Sequence, residues 1–156
     1  MQYWGLLMDF EKNLLRIGPP AVQDNLFFLA DSKGSTHKGK RYEIPKYLSS
    51  LGLNAYEFSA GRMASFKDNA DYARFRENTE KYDVAVSIHA PYYISLTSES
   101  DETYNKSIER LANVYAWAVW LNAKRIVLHP GTYGGNRDRN RLLKMIIGGI
   151  RHGMAM

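Results

Sequence analysis

Apolar positions fall in two alternating rhythms along the chain, short β-branched runs and longer stretches of helical spacing, and the alternation is the main structural signal. Residues 84–88 bring Val84, Val86 and Ile88 into a run that reaches His89 and is closed by Pro91, which lacks the N–H a continuing central strand needs. The same construction recurs at 123–128, where Ile126, Val127 and Leu128 lead into His129 and Pro130. Each run reads as a buried strand with a histidine at its end. Two weaker strands are expected earlier. One covers 13–17 and is cut off by Gly18, Pro19 and Pro20; the other covers 54–59, carries Glu57 within its apolar run, and ends before Ala60 and Gly61.

Between and after these runs the period changes. Ile44, Leu48 and Leu51 mark a helix over 42–51 that Gly52 closes. Phe66, Ala70, Ala73, Phe75 and Thr79 lie near one face of a polar helix over 65–82. The longest helix follows an acidic start at 98–102 and has Tyr104, Ile108, Leu111, Val114, Tyr115, Ala118 and Leu121 on its apolar side; the acids suit the positive end of its dipole. A last helix is expected over 141–156. Residues 21–41 and 131–139 read as loops, both basic. Residues 1–12 show no clear period and read as an N-terminal extension or a misplaced start, leaving 13–156 as the folded unit.

Four consecutive strand-then-helix units argue for an α/β fold with a parallel sheet and right-handed crossovers. A closed barrel takes eight such units in about 250 residues, and this chain of 156 supplies about four. In such sheets the carboxyl ends of the strands share one side, where chemistry collects. That is where His89 and His129 are expected.

Composition narrows the chemistry. The chain has no cysteine, so disulfides, thiolate ligands and thiol nucleophiles are excluded. No apolar run reaches the roughly 20 residues of a bilayer span, and a cytoplasmic protein with no membrane partner is the expectation. The net charge of +5 favours anionic partners only weakly. Either histidine alone reads as a structural residue or as a ligand. Two in register on successive strands can converge on one ion, and zinc suits neutral imidazole, with carboxylates commonly completing its shell. Glu57 reads as a polar interior acid bonded to a neighbour, because an unpaired carboxylate in a buried strand is costly. Arg137, Arg139 and Arg141 follow the fourth strand and suit phosphate contacts, as they suit plain solvation.

The strings SIHAPYYISL at 87–96 and VLHPG at 127–131 resemble the signatures of the endonuclease IV family, with further similarity in RIGP at 16–19, LGLNAYE at 51–57 and AKRIV at 123–127. The resemblance runs over nearly the whole chain from about Leu15. It implies a TIM (β/α)8 barrel, of which this chain is the N-terminal half, and a zinc-dependent DNA repair activity that hydrolyses the phosphodiester bond 5′ to abasic sites in double-stranded DNA. It implies His89 and His129 as metal ligands, with no catalytic residue beyond them, and Tyr92 on the DNA-facing surface; Arg62 sits in a loop that in the family reaches toward DNA, and Arg137 is a candidate contact beside it. Ser95 stands where many members have asparagine, and the family's remaining ligands lie on strands this chain does not contain. The expected consequence is an incomplete site, an inactive fragment, and self-association through open barrel edges. A xylose-isomerase-like sugar isomerase or epimerase is the alternative, and a non-catalytic fragment the third reading.

Overall fold

A computed structural model of the chain describes residues 5–9, 14–20, 22, 27–61, 68–135 and 138–156. Its centre is a parallel sheet of three strands, β5 (Ala55–Ser59), β6 (Ala85–His89) and β7 (Arg125–Val127), in that order. The register sets Ser59 beside His89 and His89 beside Val127. Four helices accompany it among the described residues: α1 (Ile44–Ser50), α2 (Asn69–Lys81), α3 (Asp101–Trp120) and α4 (Arg139–Ala155). Each helix between strands makes a crossover, as the sequence pattern predicts.

The helix ends follow from local chemistry. The side chains of Asp68, Ser100 and Asp138 accept hydrogen bonds from backbone N–H groups in the first turns of α2, α3 and α4, which otherwise lack partners. Gly52, just past α1, takes φ +74°, a conformation glycine adopts without a Cβ penalty. α4 begins at Arg139, two residues before the hydrophobic spacing suggests, because Asp138 caps it there.

The sheet has two unlike faces. Tyr56, Phe58, Val86 and Ile88 point to the helical side and pack with Ile44, Leu48, Phe75, Leu111 and Val114 in one core. Burying each such side chain is worth about 1.5–3 kcal/mol. The opposite face carries Ala55, Glu57, Ser59, Ala85, Ser87, His89, Arg125 and Val127, which alternate with the core residues along the strands. α4 lies against α3 and approaches closely at Gly149, where a Cβ would sit 2.9 Å from Leu96 Cδ2 and 3.2 Å from the Tyr104 hydroxyl.

The amino-terminal third departs from the expected pattern. The first parallel strand was expected over 13–17; Leu14–Gly18 is instead β2, paired antiparallel with β1 (Gly5–Asp9) from within the supposed extension. It runs alongside β5 in the parallel sense through two backbone hydrogen bonds among the described residues, Asn54 N to Ile17 O at 3.1 Å and Glu57 N to Pro19 O at 3.2 Å. Arg16 on this strand is buried and donates to the Asp83 carbonyl at 2.6 Å and carboxylate at 2.9 Å, tying β2 to the turn before β6. The expected loop over 21–41 contains a hairpin, β3 (Phe28–Ala30) with β4 (Thr36–Lys38). Its turn is made by the Asp31 carboxylate, which accepts from Lys33 N at 2.8 Å and Ser35 N at 2.9 Å. His37, within the segment that reads as a loop, lies exposed on β4, 3.0 Å from Glu43 Oε1. No described helix is long and apolar enough to cross a membrane.

Candidate metal and ligand site at the strand ends

β6 ends on His89 because Pro91 cannot extend the ladder, whose last rung toward β7 is Ala90 N donating to Val127 O at 2.9 Å. β7 leads in the same way into His129. The two imidazoles meet at this edge, their ring centroids 5.1 Å apart with planes inclined by 46°. His89 is half-buried and His129 exposed. His89 Nδ1 lies 3.0 Å from the Ala90 carbonyl oxygen, which can only accept. In a neutral imidazole that contact assigns the ring proton to Nδ1 and turns Nε2 toward a ligand, the arrangement that commonly orients metal-binding histidines.

The donor set fits a metal in part. Two imidazoles bound to one tetrahedral zinc through nitrogens at roughly 2.0–2.1 Å place their ring centroids roughly 5 Å apart, which matches the observed pair. No third group joins them: among the described residues no cluster of three or more histidine, aspartate or glutamate side chains is in position to hold an ion. Glu57 lies on the polar sheet face beside Ser87, two residues before the Ser59 that pairs with His89. Along a strand that is roughly 6.5 Å below the histidine level. Glu57 is half-buried and belongs to a lower layer of the interior.

Tyr92 stands on the turn that follows β6 and is 76% exposed. Arg62 and Arg137 lie outside the described residues. Arg139 is exposed at the start of α4 and lines, with Thr97, Pro130, Tyr133 and Leu142, an open cleft of about 580 Å³ next to His129. One contributor to this edge was not legible beforehand. Ser107 on α3 is fully buried; its hydroxyl accepts from Ser95 N at 3.0 Å and donates to Thr103 O at 2.7 Å, so the helix holds the loop beyond the tyrosine turn. Only its place on the apolar side of the helix, one residue before Ile108, hinted at burial.

The profile of the xylose isomerase-like TIM barrel family matches residues 45–154. Among curated proteins the chain is similar to a probable endonuclease 4 from Thermosipho africanus, 29% identical over 113 residues that make up 66% of this chain and 40% of that protein. Among solved structures it is similar to endonuclease IV from Thermus thermophilus, with a TM-score of 0.59 and 24% identity over 76% of this chain and 44% of that one. A D-psicose 3-epimerase from Clostridium cellulolyticum superposes almost as well, with a TM-score of 0.57 at 10% identity over 75% of this chain and 43% of that one. The chain thus spans less than half the length of these relatives, in keeping with a partial barrel. With the profile covering most of the chain and the parallel sheet built as that fold requires, the chain belongs to the xylose isomerase-like TIM barrel family.

Proposed function

We propose that this chain is the N-terminal part of a zinc-dependent endonuclease that cuts double-stranded DNA at abasic sites. The observation that carries the reading is the histidine pair, ring centroids 5.1 Å apart at the carboxyl ends of adjacent parallel strands, with His89 Nδ1 held by the Ala90 carbonyl. The probable endonuclease 4 similarity supports it from the sequence side. The barrel likeness does not choose between nuclease and epimerase, since both superpose.

In this reading His89 and His129 hold the ion, and the Ala90 carbonyl fixes the His89 ring for that task. Zinc, when bound, supplies Lewis acidity toward a phosphate oxygen and makes water more acidic near neutral pH. Tyr92 offers an exposed ring to the nucleic acid. Arg62 and Arg137 belong to the two loops proposed to meet its phosphates, which position a duplex without reading its sequence. Glu57 remains an interior polar residue. Self-association is part of the proposal, because β7 pairs only with β6 among the described residues and an open strand edge invites a second chain.

Zinc titration monitored at the imidazole nitrogens, run beside a cleavage assay on an abasic-site duplex, tests the proposal. Zinc is expected to shift the His89 and His129 signals together and weakly, because two protein ligands fall short of the usual three or four. The 156-residue chain is expected to leave the duplex uncut. Histidine signals indifferent to zinc would remove the metal site. Cleavage by the chain alone would show that nearby acids, Glu57 first, complete it.

A further inference from the structure

The turn after β6 exposes two large rings that the core does not use. Tyr92 is 76% exposed and Tyr93 45% exposed, yet the backbone beneath them is held at both sides. Ile94 N donates to the Pro91 carbonyl at 3.2 Å, Ile94 itself is buried, and Ser95 N is bound by the buried Ser107 hydroxyl. The rings are ordered against each other. Their centroids lie 5.5 Å apart with planes at 77°, an edge-to-face pair. The guanidinium carbon of Arg110, on α3, stands 5.0 Å from the Tyr93 ring centroid. A line of contact therefore runs from a half-buried cation on a helix, through one tyrosine, to the more exposed one.

We propose that Arg110 is a positioning residue for this tyrosine pair: by lying over the ring of Tyr93 it sets the edge against which Tyr92 packs, and so the angle at which Tyr92 presents its face to a ligand. The inference rests on the nucleic-acid reading above and names what that face takes, the flat π-surface of an unstacked nucleobase. Aromatic side chains on a cationic surface stack bases without regard to sequence. Guanidinium attraction to a ring keeps Tyr93 from rotating freely, which would otherwise leave Tyr92 without its neighbour. Arg110 acts through rings in this scheme and touches no phosphate.

Two measurements on the full chain test the idea: NMR of the tyrosine ring signals, and anisotropy titrations with an abasic-site duplex at several salt concentrations. Arg110→Gln is expected to move the Tyr92 ring resonances and to weaken duplex binding about two- to fivefold at every salt concentration, the size of an exposed cation–π contact. The slope of affinity against salt should stay unchanged. Tyr93→Phe keeps the ring and should retain both properties, and circular dichroism of each variant confirms that the helices persist. Tyr92 signals unmoved by Arg110→Gln overturn the inference alone. A salt slope reduced by about 0.9 also overturns it, because that is the mark of a lost phosphate contact. Wild-type chain that binds no duplex at any salt overturns the nucleic-acid reading and this inference together.

Discussion

Replacing Ser107 with alanine isolates the link between α3 and the loop that carries the tyrosines. The hydroxyl is fully buried and serves two backbone groups, accepting from Ser95 N at 3.0 Å and donating to Thr103 O at 2.7 Å. Its loss leaves the Ser95 N–H without a protein partner, a penalty of about 1–3 kcal/mol for a buried group. Ser95 is half-buried, so water reaches part of the gap and the lower end of that range applies. Alanine returns a few tenths of a kcal/mol through better helix propensity, and the Thr103 carbonyl keeps its helical partner. The net is about 1 kcal/mol. For a chain of this size that lowers Tm by about 2–4 °C. Thermal unfolding followed by circular dichroism measures the loss, and amide hydrogen exchange at Ser95 locates it, with faster exchange there than at Val86 in β6. Ser107→Thr keeps a hydroxyl and should recover most of the stability. If Ser107→Ala melts with wild-type chain and its Ser95 amide stays protected, the hydroxyl does not hold the loop.

Two further outcomes follow from the core and from one half-buried phenol. Leu111 is 1% exposed at the centre of the helical side, and Leu111→Ala should cost about 2–5 kcal/mol, seen as an earlier urea midpoint; an unchanged midpoint would mean that α3 does not pack as described. Burial pushes the Tyr115 phenol above its ordinary value of 10.0. The folded chain then keeps that proton where the unfolded chain gives it up, so this contribution to stability is complete below pH 10.0 and declines as pH rises through the folded value. Tyr115→Phe should flatten the alkaline part of the Tm-against-pH curve, and identical curves for the two proteins would refute the assignment.

The parts of the fold that the sequence made legible are those in which burial imposes a period. β6 and β7 are short apolar runs stopped by proline, and α3 repeats its apolar residues over five turns between a serine cap and a two-residue turn. That logic also placed His89 and His129 on one edge. Pairing without burial left no such trace. All three residues of β4 are exposed and polar, and its hairpin depends on the Asp31 side chain folding back on its own turn. β1 was missed because a five-residue strand can be defined by its antiparallel partner alone. The proton position on His89 and the contact of Arg110 with Tyr93 depend on rotamers, which residue spacing does not encode. Arg62 and Arg137 lie outside the described residues, and Glu57 lies on β5 two residues before the level of the histidines.

The unlike faces of the central sheet bear on how such a chain is made. The apolar face of β5 and β6 is covered by α1, α2 and α3, elements adjacent to it in sequence, while the other face offers Glu57, Ser59, His89 and Arg125. Each βα unit therefore conceals its greasy side within a few tens of residues of synthesis, and contacts that are local in sequence form early and fast. These units can settle one after another, and the face they leave mixes small residues, Ala55, Ala85 and Ser87, with Glu57, His89 and Arg125. Any surface that packs against that face strips water from Glu57, His89 and Arg125, so electrostatic matching weighs on the contact alongside apolar burial.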